Sequence, residues 1–508
     1  MISAEALRRG FNRGRYRVAE PTPPYWDDRV PRRPEGSPRW VHGEVVPVTP
    51  AQLVELDDAG IRVTSEPEAV TAAARDWWPG TMIAETDGRA AAPLAPVVHA
   101  RSVADVQAVV RWSARHGLPL TVAAGRSNVT GAALPVRGGV LLDVTGLDRV
   151  ERFDEDRGLV TVQAGVFGDV LEGVLQREHG VTTGHWPSSF AISTVGGWVS
   201  CRGAGQLSTR YGKVEDMVVA LEVVLPSGEV VHLGESSRAA VGPDLRQLFV
   251  GAEGMLGVIT SVTLQTHPLP DYGRALAFTF VDFASGLRAC RATLHAGATP
   301  AVVRLYDAAE ARHHFGVDAA LLLLADEGTP EIVDATLAVA RTECAGHGEE
   351  IDAEGVFERW LDTRYVIPPL HEHPQRERVV YDTLEMVGGW ATVAAVYEDV
   401  RARVGAVPGT VAVTGHQSHS YRDGACIYFT MQGLVDPGDR ERWYRAAWDA
   451  AHAAIVDHGA TISHHHGVGL VRAPYVARGL GEGQLGLLRA VKGAIDPQGL
   501  LNPGKFGL

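Results

Sequence analysis

Three turns with few bulky side chains, set within one stretch of mixed helices and strands, constrain this chain more than any other feature. They are Val122-Ala123-Ala124-Gly125-Arg126-Ser127-Asn128, the segment 187–198 with its Ser188-Ser189 and Gly196-Gly197 pairs, and the segment 251–257. Backbone N–H groups can crowd a pyrophosphate only where side chains are small. One such turn is weak evidence. Three in this order call for a fold that gathers them around a long, charged dinucleotide.

The surrounding pattern supplies the elements. Ser102 opens a helix with Asp105 placed to complete a capping box; Val103, Val106, Val109 and Val110 form its apolar stripe and Gly117 ends it. Residues 118–123 read as the strand that delivers the first turn, 159–164 as a second strand, and 168–178 as a helix closed by Gly180. Residues 217–225 and 229–233 flank Pro226-Ser227-Gly228, a hairpin signal. Helices and strands in mixed order, hairpins among them, predict an α+β fold rather than a doubly wound sheet. Pro268-Leu269-Pro270 reads as a boundary, followed by strands at 275–280 and 320–325 and a helix at 329–347. The expected domains are an N-terminal arm and helical region (1–92), a nucleotide-binding domain (93–270), a substrate domain of antiparallel sheet covered by helices (271–458) and a C-terminal segment (459–508). Gly481 to Gly486 satisfies GxGxxG, but no strand precedes it, so a Rossmann site is not expected there.

At 508 residues the chain exceeds the usual reach of one hydrophobic core. Its 47 basic and 61 acidic residues leave a net charge of −14, which argues against nucleic acid or an anionic membrane as the main partner. Cys201, Cys290, Cys344 and Cys426 are scattered without a CxxC pair, so neither a disulfide framework nor a thiolate zinc site is expected. No stretch is apolar enough for a signal segment or a membrane span, and the expectation is a soluble cytoplasmic protein.

His464-His465-His466 is the sharpest local feature. Consecutive side chains diverge in any regular backbone, so one or two can face a pocket but not all three one metal. A zinc reading that adds His416 and His419 lacks a clear carboxylate or thiolate set, and no metal is expected. Tyr428 lies in a strand-like run, where a tyrosine is otherwise a core aromatic.

Several motifs carry a family resemblance. Thr194-Val195-Gly196-Gly197, Tyr211 to Asp216, Gly254 to Thr260 and the closing Asp496 to Lys505 resemble the PCMH-type FAD-binding domain of the vanillyl-alcohol oxidase and p-cresol methylhydroxylase superfamily. Gly424 to Phe429 and Ser463 to Gly469 make the chain similar to the alkyldihydroxyacetonephosphate synthase branch of that superfamily. The resemblance implies a two-subdomain FAD domain beside an α/β cap domain. It implies FAD bound non-covalently, because the first turn has no His for attachment. Cofactor contacts are implied for Val122, Ala123, Ala124, Gly125, Arg126, Ser127, Asn128, Ser188, Ser189, Ser193, Thr194, Gly196, Gly197, Cys201, Arg202, Ala204, Glu253, Gly254, Gly257 and Ile259. Proton handling is implied for Tyr428 and His465, with His464 and His466 shaping the pocket, and substrate contacts for Arg304, His371, Arg376 and His416. A lowered phenol pKa or a cationic neighbour, which the histidine run could supply, would suit Tyr428 to act as a base. The family further implies a small, lipid-like substrate, a homodimer, and exchange of an acyl group for a fatty alcohol on a dihydroxyacetone phosphate-like molecule.

The chain also departs from that pattern. Ala124 and Arg126 replace glycines, and Arg126 is expected to avoid a positive φ. His371, Gly415-His416 and Leu470 stand where the synthase branch has cations. Fewer cations weaken the case for a phosphorylated substrate and keep a rival open, an FAD-linked oxidase or dehydrogenase of an alcohol or 2-hydroxy acid. A flavin-binding protein without catalysis is the third reading.

Overall fold

The computed structural model describes residues 10–16, 38–234, 238–366 and 378–508. Residues 1–9 and 17–37 of the N-terminal arm, together with His371 and Arg376, lie outside them.

A four-stranded sheet comes first, ordered β1-β2-β4-β3: β1 (Arg62–Thr64), β2 (Val97–His99), β3 (Leu120–Ala123) and β4 (Val140–Asp143). Strand β4 runs parallel to both neighbours, while β1, which the sequence reading missed, pairs antiparallel with β2. Helix α1 (Val103–His116) leads into β3. Ser102 accepts from the Asp105 N–H in a complete capping box, and Gly117 turns left-handed to end the helix, as the sequence predicts. Its Val106, Val109, Val110 and Trp112 are buried.

A five-stranded antiparallel sheet follows: β5 (Val150–Asp154), β6 (Leu159–Gln163), β8 (Val218–Val224), β9 (Val230–Gly234) and β10 (Val258–Gln265) in the order β5-β6-β10-β8-β9. The predicted hairpin is β8–β9, turning at Gly228 with φ 79°. The predicted helix splits into α2 (Gly168–Val174) and a wider π turn, Leu175–His179, closed by left-handed Gly180. Short strands β7 (Val181–Thr182) and β11 (His267–Pro268) pair with each other. Helix α3 (Val195–Cys201) grows out of the second turn.

After Pro268 the chain builds a seven-stranded antiparallel sheet: β12 (Tyr272–Phe280), β13 (Val302–Tyr306), β14 (Ala320–Gly328), β15 (Glu349–Ile351), β16 (Val379–Gly389), β17 (Thr410–Ser420) and β18 (Gly424–Leu434), ordered β15-β12-β14-β13-β17-β18-β16. Leu321 to Leu324 are all fully buried, because β14 is covered on both faces. Leu322 and Leu324 pack under helices α4 (Phe283–His295) and α5 (Pro330–Ala345). Leu321 and Leu323 meet Trp186, Phe190 and Leu207 from the first half of the chain. The sheet therefore presents one face to helices and the other to the segment that carries the second turn. Near its C-terminus the chain returns to β3, where the Asn502 N–H donates to the Leu120 carbonyl and the Leu120 N–H to that of Leu500.

Candidate functional site

The three turns meet. A Cβ at Gly125 would lie 2.4 Å from the Ile192 carbonyl oxygen, so only glycine lets the first turn press on the second. In the third turn, Gly251 and Glu253 donate their N–H groups to Val199 and Ser200 at the end of α3. Arg126 corrects the sequence reading: it adopts φ 51°. Burial lowers the pKa of its guanidinium, while the charge of Asp143, on the neighbouring strand, opposes that shift.

The expected cofactor contacts fall into two groups. Some are engaged by the protein itself. Ser188 Oγ accepts from Gln206, Ser193 Oγ accepts from the Trp198 indole, and Thr194 caps α3 by accepting from the Gly197 N–H. Gly196 and Gly257 allow close packing on Ala164 and Val223, Ile259 sits within β10, and Ala204 is buried. Arg202 ends α3 in a left-handed turn at φ 59°, directly after Cys201. Others stay available along the turns that Val122 and Ala123 lead into. The N–H groups of Gly125 and Ser127 meet no protein acceptor among the described residues. Beside α3, His185 is fully buried, its ring 4.6 Å from Trp198, and neither ring nitrogen has a partner. Free amide donors with an orphaned buried imidazole fit a ligand that has an anionic middle and polar edges.

The face of the large sheet that looks toward these turns carries the second cluster. Cross-strand register places Glu385, Tyr428, His416 and Tyr306 side by side on β16, β18, β17 and β13, hence on one face. A register shift between Gln417 and His419 adds one residue to β17, so His419 falls opposite Cys426 and shares the face of His416. The His416 ring stacks on Tyr428 at 4.8 Å and 12°. Its Nδ1 lies 2.7 Å from Glu310, and its Nε2 lies 2.9 Å from Arg304 Nη2.

The histidine run closes over this face, held from below by Glu385, which is fully buried. The carboxylate accepts from Ser463 Oγ at 2.9 Å and from the His464 and His466 N–H groups at 2.5 and 3.0 Å. Arg472, also fully buried, lies 3.3 Å from Glu385 and donates to the carbonyls of Ile462, Gly467 and Glu385. Glu253 holds the other end of the loop, accepting from the Val468 and Gly469 N–H groups, and Asn128 of the first turn donates to the His466 carbonyl. His465 Nε2 contacts the Tyr428 hydroxyl.

Electrostatics set the protonation states. Burial pushes the imidazole pKa of His464 down to about 3 and that of His466 to about 4, and takes His465 and His419 well below the usual range. The histidines are therefore neutral at pH 7. Burial, with Cys426 and Glu385 adding to it, raises the Tyr428 phenol well above its ordinary value. The cationic help expected from the histidine run is absent, and Tyr428 is a neutral phenol hydrogen-bonded to neutral imidazole.

The nitrogens of His419, His464 and His465 come within 4.8 Å of one another, a subset of the histidines weighed for zinc on sequence grounds that leaves out His416 and His466. A cation there would have to displace the bonds from His464 to Tyr421 and His465. His371 and Arg376 lie outside the described residues. Leu470 packs into the apolar core beside Trp78. Sequence reasoning missed Glu385 and Glu310. The usable signal was an acidic residue at an inward position of a strand, which needs a buried partner.

Comparison with known proteins agrees with this geometry. Residues 94–234 match the FAD binding domain family and residues 269–506 the C-terminal domain of FAD linked oxidases. An uncharacterized FAD-linked oxidoreductase of Escherichia coli, YgcU, is 31% identical over 438 residues, covering 81% of this chain and 88% of that one. The alkyldihydroxyacetonephosphate synthase of Trypanosoma brucei brucei is 27% identical over 456 residues, covering 79% of this chain and 71% of the relative. A solved alkyldihydroxyacetonephosphate synthase superposes with a TM-score of 0.74 at 22% identity, over 91% of this chain and 87% of that one.

Proposed function

Because the chain belongs to the FAD-linked oxidase family, and so is an FAD-dependent enzyme, we propose that it oxidises a hydroxyl-bearing carbon of a small hydroxy acid. Bound FAD supplies the acceptor for the two electrons and the carbon-bound hydrogen, transferred as hydride. The turns at Gly125, Ser189 and Gly254 would hold it.

One observation carries the choice of substrate. Among the described residues, Arg304 is the single guanidinium or ammonium group bonded to the Tyr428–His416 pair. Arg472 and the Lys213 ammonium, which donates to the His464 carbonyl, are taken up by the loop itself. One cation suits a carboxylate; a phosphate dianion calls for more. Arg304 Nε, buried without a partner, is the donor available to that carboxylate. Tyr428, held as a phenol, takes the substrate's hydroxyl proton only as it passes its own to His465.

The synthase reading, acyl-for-alcohol exchange on a dihydroxyacetone phosphate-like substrate, is favoured by the pairing of Tyr428 with His465, the residues to which the resemblance assigns proton handling. Anaerobic mixing separates the two. Stoichiometric bleaching of the flavin absorbance by a 2-hydroxy acid supports oxidation. No bleaching by any hydroxy acid, with turnover of an acyl dihydroxyacetone phosphate, overturns it.

A further inference from the structure

Hydrogen bonds continue beyond the Tyr428–His465 pair. His465 Nδ1 lies 2.8 Å from His464 Nδ1. His464 Nε2 lies 2.9 Å from the Tyr421 hydroxyl, which lies 3.3 Å from Ser208 Oγ. Ser208 Oγ in turn lies 2.7 Å from His419 Nδ1. Tyr421 is half-buried, followed by exposed Arg422 and Asp423, whereas His464, His419 and Ser208 are buried.

We propose that Tyr421 carries the proton taken up at Tyr428 out to water, through His465 and His464, while Ser208 and His419 fix the direction of the hydrogen bonds. The proposal rests on the oxidative reading above for the source of that proton.

Between Tyr428 and Tyr421 the hydrogen bonds can run in only two directions. In one, the Tyr428 O–H donates to His465 Nε2, His465 Nδ1–H to His464 Nδ1, His464 Nε2–H to the Tyr421 oxygen, and Tyr421 through Ser208 to His419 Nδ1. In the other, the bonds from Tyr428 to Tyr421 are reversed, with the Tyr421 O–H donating to His464 Nε2, while Ser208 still donates to His419 Nδ1. Each neutral imidazole has one donor and one acceptor nitrogen, so His464 and His465 carry opposite tautomers in both cases. Passing from the first direction to the second moves one proton. The substrate hydroxyl proton arrives on Tyr428 as its own moves to His465 Nε2. The His465 Nδ1 proton moves to His464 Nδ1, the His464 Nε2 proton moves to Tyr421, and the Tyr421 proton enters bulk water. Each residue ends with the number of protons it began with, and both rings have exchanged tautomer. Tyr421 touches no reacting atom; it acts through His464 and is a relay residue rather than a catalytic one.

Two measurements test this. In wild-type protein labelled with nitrogen-15 histidine, without substrate, His464 and His465 should both be neutral and of opposite tautomer. Identical tautomers, an imidazolium at pH 7, or a metal bound stoichiometrically at the three imidazoles would overturn the wire, whatever the enzyme oxidises. In Tyr421→Phe the flavin spectrum and KM should hold while bleaching slows about tenfold and its solvent deuterium isotope effect changes. Bleaching at the wild-type rate with the wild-type isotope effect would mean the proton leaves by another route. If no hydroxy acid bleaches either protein, the oxidative reading has failed, and the tautomer result still decides the wire.

Discussion

Two buried carboxylates hold the two ends of the histidine loop by the same means, acceptance of backbone N–H groups, yet their charges behave in opposite ways. Burial pushes both pKa values up. For Glu385 the adjoining Arg472 and the loop's own groups more than offset that, holding the carboxyl down to about 2. For Glu253 the N–H groups of Val468 and Gly469 and the more distant Lys505 are not enough, and its carboxyl rises to about 7. A hydrogen-bonded nest of amides does not by itself keep a buried carboxylate ionised; a guanidinium in contact does. The end of the loop that presents His464 and His465 is therefore clamped across the physiological range, while the end that meets the third turn titrates within it.

The comparison can be broken at its strong end. Arg472→Met leaves Glu385 buried beside the loop without its countercharge and should cost about 3–5 kcal/mol in a denaturant titration. It should also disturb His464 more than the first turn. A loss near zero would mean the pair does not organise the loop. Gly467→Ala tests the middle. Its φ is 80° and its Cβ would lie 2.3 Å from Glu253 Oε1. Strain and displacement together should cost about 2 kcal/mol, read as a lower thermal midpoint.

The smallest effect sharpens the weak end. A folded-state pKa raised above the unfolded value means that Glu253 contributes stability below about pH 4.5, and that this is lost as pH rises to about 7. Glu253→Gln should remove that slope. Wild-type stability relative to the variant should fall by about 1–3 kcal/mol between those pH values. Parallel stability curves would show that the carboxyl does not titrate there.

Local rules made much of the fold legible. The Ser102–Gly117 helix, the hairpin around Gly228 and the existence of the strands near 275–280 and 320–325 follow from caps, turn residues and apolar runs, which act within a few residues. The meeting of Tyr428 with His465 was expected from resemblance, not from spacing. Illegible were the features that depend on distant packing. Glu385 shares its strand with a second buried acid, Asp382, and nothing nearby in sequence sets it apart until Arg472 and the loop surround it. Arg126 takes a left-handed backbone that its side chain disfavours, directly after Gly125, whose backbone is pressed against the Ile192 carbonyl. The hydroxyls of Ser188, Ser193 and Thr194, suited on sequence grounds to a ligand, serve the protein's own turns.

The extra residue in β17 makes the composition of the site a question of parity. Two histidines three positions apart can look the same way only because one residue between them is not counted in the ladder. Inserting a single codon there, with the bulge still taking up one residue, would swing His419 to the helix-covered side and strip the Ser208 contact without altering any chemical group. Length, as much as identity, is thus a variable by which natural or laboratory evolution can retune this surface.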